Sequence, residues 1–241
     1  MVFCLLLSSF PINLLAIDLQ GEFDIDIDFD FLHASSYSQY RQEHINETII
    51  LDHIIEVDSK NIKDSYSEPI IIENFEQMPG YTILTGETGF VEFSFYVEYQ
   101  GLYNIYLEYF PIEGRGNDIE RRFLINGEIP FNHAAFFIFH RFWAKSEPIQ
   151  QDQRGNDLRP SLVEVPKWSN IYLSDYLGYV NEPYLFFFKQ GENTIRIESS
   201  REPMAIRRLI LKASAAPEDY ANKSGVPYFA CEPIGTYCYT G

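Results

Sequence analysis

The sequence predicts an all-β protein, an antiparallel β-sandwich with a long loop insert, and three observations carry that expectation. Val91, Phe93, Phe95 and Val97 alternate with Glu92, Ser94, Tyr96 and Glu98, and Tyr103, Ile105, Leu107 and Tyr109 alternate with Asn104, Tyr106 and Glu108. A period of two sustained that long marks strands with one buried and one wet face. Turn chemistry punctuates the same stretch: Tyr99-Gln100-Gly101, the Gly-, Asn- and Asp-bearing loop 111–118, and the pair Asn126-Gly127 closing a third run at 122–125. Aromatic residues reach 16%, with 17 Tyr and 20 Phe, and such residues favour pleated surfaces. Residues 86–127 therefore read as three consecutive strands, an antiparallel meander.

The elements follow in chain order. Residues 2–16, VFCLLLSSFPINLLA, are apolar over the length of a signal-peptide core, but no basic residue precedes Arg41. A signal peptide whose start lies upstream and a buried N-terminal strand are the two readings, the first favoured, with residues 1–20 assigned to it. Residues 22–31, EFDIDIDFDF, would line up Asp24, Asp26, Asp28 and Asp30 on one strand face. Such a row repels itself unless it is solvated or holds a cation. The EF-hand glycine and glutamate are missing, and an acidic linker is the preferred reading. Residues 36–44 suit a short amphipathic helix packed across one end of the sandwich, completing a 21–44 segment. The sandwich itself is expected over 45–213. It begins with β-branched runs at 48–57 and 70–72, is interrupted by the insert 132–183, and closes with strands at 191–197 and 205–212. Residues 214–241 read as a linker of small polar residues and a tail, as if a larger protein continued beyond.

Charge narrows the partners. With 35 acidic against 18 basic residues the net charge is −17. Nucleic acid is excluded as a partner, because backbone binding draws its affinity from Lys and Arg neutralising phosphates. Neutral sugars and bound cations remain compatible. Of the three cysteines, Cys231 and Cys238 are spaced to close a small disulfide loop in an oxidising compartment, while Cys4 lies in the apolar leader.

The Val-Glu-Phe strand at 91–93, the Gly-Leu-Tyr entry into the aromatic strand at 101–103, and the Asn126-Gly127 closure resemble the core of carbohydrate-binding-module families 6 and 35. Gly191-Glu192-Asn193-Thr194-Ile195-Arg196-Ile197 is similar to the strand those modules carry late in their fold, and 206–211 matches their last strand in place. The resemblance spans about residues 45–213. It implies a galactose-binding-like jelly roll, a non-catalytic carbohydrate-binding role, and a secreted or cell-surface location. Related modules occur near the N-terminus of bacterial extracellular solute-binding proteins of ABC sugar transport. A C-terminal solute-binding or hydrolase domain is therefore the implied covalent partner. An early strand of such modules carries carboxylates that help hold a structural calcium; Glu56 and Asp58 stand in that place, while the last strand carries Arg207 and Arg208.

Sugar recognition needs flat aromatic faces for the C–H side of the ring and planar polar groups for vicinal hydroxyls. The insert holds both kinds: Trp143, Trp168 and Tyr179, with Arg141, Asp152, Asn156 and Arg159 nearby in sequence. Two alternatives stay open for these residues. The tryptophans could instead pack the insert onto the sandwich, and Arg141 and Arg159 could bridge to carboxylates such as Asp152 or Glu164. No GxSxG, Walker loop or HExxH occurs, so no catalytic residue is expected. His133 and His140, flanking AAFFIF, read as structural.

Overall fold

The computed structural model describes residues 34–66 and 70–214. The apolar leader, the acidic run, the three cysteines and the tail from residue 215 lie outside the described residues.

Helix α1 (Tyr37–Glu43) forms where the amphipathic segment was expected, because Ser36 and Gln39 make a reciprocal capping box. The Gln39 N–H donates to Ser36 Oγ at 3.3 Å and the Ser36 N–H to Gln39 Oε1 at 3.0 Å. Fourteen strands follow among the described residues. They begin with β1 (Ile55–Val57), β2 (Ile62–Ser65), β3 (Ile70–Glu73), β4 (Tyr81–Thr85) and β5 (Gly89–Val97). Next come β6 (Gly101–Pro111), β7 (Ile119–Ile125), β8 (Phe137–Phe139), β9 (Trp143–Lys145) and β10 (Leu162–Glu164). The last four are β11 (Ser169–Tyr172), β12 (Leu185–Phe188), β13 (Gly191–Arg201) and β14 (Met204–Lys212).

Every pairing between these strands is antiparallel, in two principal sheets. One has seven strands in the order β11-β6-β14-β4-β3, with β12 sharing the β6 edge and β1 pairing β14. The other has five, β2-β5-β13-β7-β8. The strands β5, β6 and β7 were expected to pair as a meander, and they do not. β5 and β7 flank β13 in one sheet, while β6 lies in the opposite sheet between β14 and the β11/β12 edge. The alternation was read correctly, since Phe93, Phe95, Ile105, Leu107 and Phe123 all face one shared core. Alternation, however, fixes a strand's buried face and leaves its hydrogen-bonding neighbour open. The final hairpin supplies the central strand of each sheet, β13 in one and β14 in the other.

The turn at Asn126 and Gly127 forms with positive φ at both residues (53° and 85°) and a single antiparallel bridge, Ile125 to Glu128. The chain then leaves through a 3-10 turn at Asn132–Ala135 and returns along β7 as β8. The expected insert 132–183 is consequently no clean interruption. β8 extends one sheet, β11 extends the other, and Phe137, Phe139 and Leu173 are buried in the core. Strands of three and four residues are too short to display alternation, which is why that segment looked like an insertion. The part that projects is the two-stranded arm β9–β10. Likewise the β-branched run 48–57 yields only β1, preceded by a parallel bridge from Ile49 to Leu102.

Helix α1 seals the β12 edge. The Leu185 N–H donates to Tyr37 Oη at 3.1 Å and the Phe187 N–H to Tyr40 Oη at 2.7 Å. Tyr40 is buried against the core, so an otherwise open strand edge is covered by two phenols. The helix thus packs as part of the sandwich expected from residue 45 onward.

Candidate functional site

The Pro111 end of β6 is organised by a buried ion pair. The Arg141 side chain is 0% exposed, and four of its guanidinium bonds are satisfied within the protein. Nε donates to Asn117 O at 2.7 Å; Nη1 donates to Ile112 O at 2.9 Å and to Glu164 Oε1 at 2.5 Å; Nη2 donates to Glu202 Oε2 at 2.8 Å. Glu202 also accepts from the Arg115 N–H at 2.8 Å, the Asn117 N–H at 3.2 Å and Asn117 Nδ2 at 2.9 Å. Loop 112–118, the β9–β10 arm and the β13–β14 turn are thereby tied together. Gly114 permits the close approach, because a Cβ there would lie 2.1 Å from Glu202 Oε2. Burial works to raise the Glu202 pKa, but the Asn117 and Arg115 hydrogen bonds and the Arg141 charge outweigh it and hold the carboxyl below its usual range. Arg121 is also fully buried and donates to the Arg201 and Glu202 carbonyls at 2.9 Å each. Burial, and then the charge of Arg141, lowers its pKa to about 9, which leaves it charged at neutral pH.

Arg141 therefore has no fork to offer a sugar. As a candidate ligand residue it is corrected to a tie between loops, and its partner Glu164 is the local carboxylate anticipated for it. Asp152 and Asn156 stand on the arm beyond β9 and bond each other. Asp152 Oδ1 accepts from the Arg154 N–H at 2.8 Å and the Asn156 N–H at 2.9 Å, and Oδ2 accepts from Asn156 Nδ2 at 3.0 Å. Both build the arm's own turn, and Arg159 is exposed beside it.

The three aromatic candidates do not share one cleft. Trp143 is 47% exposed on β9, and its ring lies over Gly116. Tyr179 is 82% exposed in the loop after β11. Trp168 sits at the opposite end of β11, next to Ser169, which pairs with Tyr109. Its indole meets Phe110 with centroids 5.5 Å apart and Phe75 at 6.2 Å, while its buried Nε1 has no hydrogen-bond partner among the described residues. Phe142 immediately precedes β9, where its carbonyl accepts from the Val165 N–H at 2.8 Å. Phe142, Trp168 and Met78 wall an open cleft of about 510 Å³ whose rim carries Lys167, Asn170 and Glu108. Lys167 Nζ lies 4.3 Å over the Phe142 ring, and Glu108 is paired with Arg207. Of the ligand-binding candidates named from the sequence, Trp168 alone lines this cleft. Phe142 could have been found as the aromatic neighbour of Trp143; Met78, far away in sequence, gave no signal.

Glu56 and Asp58 border one open pocket, but Glu56 spends both carboxylate oxygens on Arg208, at 2.8 and 3.0 Å. Asp58 Oδ1 accepts from the Lys60 N–H at 2.8 Å. No group of three or more His, Cys, Asp or Glu residues able to hold a metal ion occurs among the described residues. A hard cation would thus have to compete with an arginine for Glu56.

No family model and no curated protein matches the chain. Solved structures that it resembles include carbohydrate-binding modules. A family 35 carbohydrate binding module from Clostridium thermocellum is 14% identical with a TM-score of 0.41, over 67% of this chain and 99% of that one. The C-terminal family 6 module of LamC, a marine laminarinase from Zobellia galactanivorans, is 10% identical with a TM-score of 0.37, over 67% of this chain and 100% of that one. A family 35 module of Abf62 from Cellvibrio japonicus is 11% identical with a TM-score of 0.40, over 68% of this chain and 95% of that one.

Proposed function

We propose that the chain is a non-catalytic carbohydrate-binding module of a secreted or cell-surface protein concerned with sugar capture or polysaccharide use, and that it takes its sugar in the Trp168 cleft. The observation that carries the reading is the pairing of two flat rings, Trp168 and Phe142, with a rim of Lys167, Asn170 and Glu108 in one open cleft. A pyranose ring presents an apolar C–H face to an indole and its hydroxyls to ammonium, amide and carboxylate groups. An open cleft suits a stretch of polysaccharide, and a net charge of −17 favours a neutral glycan over an anionic one. No helix among the described residues is long and apolar enough to cross a membrane.

A glycan array followed by calorimetry tests this. Trp168→Ala should cost a bound sugar about 1–3 kcal/mol. Because Trp168 also packs on Phe110 and Phe75, Lys167→Ala and Asn170→Ala, at exposed positions, should weaken binding without moving the unfolding midpoint. The contact of Trp168 with Phe75 and Phe110 favours a second reading: a spacer domain packed against a solute-binding partner of a sugar transporter, with no sugar of its own. Absence of any glycan bound by the parent protein, together with a destabilised Trp168→Ala variant, would select it. Release of reducing sugar from a polysaccharide would overturn both and make the chain an enzyme.

A further inference from the structure

A second pocket lies at the far end of β11 from Trp168, between the 3-10 turn Asn132–Ala135 and the loop 173–184 that separates β11 from β12. It encloses about 370 Å³, within the range of small-molecule sites. Phe136, Phe137, Tyr176 and Leu177 form apolar walls, and Tyr184 and His133 complete the lining. The imidazole stacks on the Tyr184 ring at 5.9 Å and 19°.

Two polar atoms here lack what buried polar atoms require. Tyr184 is 0% exposed, and among the described residues neither its Oη nor the buried His133 Nδ1 has a hydrogen-bond partner. Buried hydroxyls and ring nitrogens are nearly always paired, so two orphans on residues that line one pocket point to a partner brought from outside. Burial first, and then the Asp175 charge, pushes the Tyr184 phenol well above the ordinary tyrosine range, so it remains a neutral donor. The loop is already built without a ligand. Asp175 accepts from the Leu177 N–H at 3.0 Å, the Tyr179 N–H at 2.8 Å and the Val180 N–H at 3.2 Å.

The chemistry selects the ligand. Among the described residues no Lys or Arg lines the pocket while Asp175 does, so an anion would meet repulsion. The other polar lining groups are already engaged, Asn132 Oδ1 with the His133 N–H, Ser174 Oγ with the Tyr172 carbonyl and Asp175 with three backbone N–H groups, so a monosaccharide would bring more hydroxyls than the pocket has groups to pair, at a cost for each left desolvated. A flat apolar ring with one or two hydroxyls at one edge matches both the walls and the orphans. We infer that this pocket binds a small neutral phenol, whose hydroxyl pairs with Tyr184 Oη and His133 Nδ1 while its ring packs on Tyr176 and Leu177. The inference stands apart from the sugar reading, since the Trp168 cleft lies past the other end of β11.

The test titrates the full chain with phenol and catechol, with 4-hydroxybenzoate as the anionic control and glucose and galactose as sugar controls, followed by calorimetry and by the His133 ring protons in NMR. Phenol and catechol should bind and shift the His133 signals, and the controls should not. Tyr184→Phe should weaken phenol about five- to tenfold, as expected for one hydrogen bond. Leu177→Trp, at an exposed position, should fill the mouth and abolish binding, and it reads the same site if Tyr184→Phe does not fold. Trp168→Ala should leave phenol binding intact. Failure of both phenols to bind, undiminished binding by Leu177→Trp or by a folded Tyr184→Phe, or a sugar shifting the His133 signals in their place would each overturn the proposal.

Discussion

Removing Glu202 should unfasten one end of the sandwich. In Glu202→Ala, the Arg115 N–H, the Asn117 N–H and Nδ2, and Arg141 Nη2 all lose their acceptor at once. Arg141 would keep Glu164 and two carbonyls, but its charge would then lie buried near Arg121, which donates to carbonyls and a hydroxyl. Breaking a buried pair from one side costs about 3–5 kcal/mol. At about 2–4 °C per kcal/mol for a domain of this size, the melting temperature should fall by roughly 6–20 °C. Urea unfolding of the parent, Glu202→Ala, Arg141→Met and the double variant would close a cycle. The double variant should be markedly more stable than the sum of the single losses predicts, because the buried guanidinium that had lost one of its two carboxylates is gone. The folded Glu202 pKa is depressed, so the carboxylate's contribution is complete above its unfolded value of about 4.3 and is lost as pH falls through the lower folded value. The parent should therefore lose stability steeply on the acid side, and Glu202→Ala less so. A Glu202→Ala loss below about 1 kcal/mol would refute the argument, reducing the pair to the worth of a surface contact.

Tyr40 and Tyr109, pushed up to about 12 chiefly by burial, should show no phenolate absorbance where exposed tyrosines have already ionised. The stability this gives is whole below the unfolded value of about 10 and lost as pH rises through about 12; both phenols titrating with the exposed set in folded protein would contradict it. Chelation should leave the melting temperature unchanged, because Arg208 already occupies Glu56; a drop restored by calcium would show an ion bound to the native state alone.

Much of the sandwich was legible because β5 and β6 are long enough to repeat their alternation several times. What alternation could not convey was partnership. Val91 through Val97 declare a buried face, yet nothing in them says that Gly191 through Ser199 will lie alongside rather than β6. The short strands β8 and β11 stayed hidden for want of repeats. In the candidate site, Trp168 was findable by residue type, and the local bridge from Arg141 to Glu164 was anticipated from proximity. Glu202, 61 positions from Arg141, was not, because a buried ion pair across a sandwich depends on which loops meet at one end. Lys167 and Asn170 flank Trp168 in sequence, but their importance follows from Phe142 and Met78 arriving opposite them.

The placement of β13 and β14 governs how the molecule can be made. Each is the middle strand of its sheet, bonded on both sides to strands synthesised earlier. While the ribosome is still short of Gly191, β5 and β7 have no strand between them, and β6 has no strand linking it to β4. The nascent chain must therefore carry its apolar rows with only their outer partners, β2 beside β5, β8 beside β7 and β11 and β12 beside β6, until the closing hairpin emerges, a period in which chaperone occupancy matters more than for a protein built from neighbouring hairpins. Assembly then has the character of a zipper pulled from the last hairpin outward, completing both layers in a single late event.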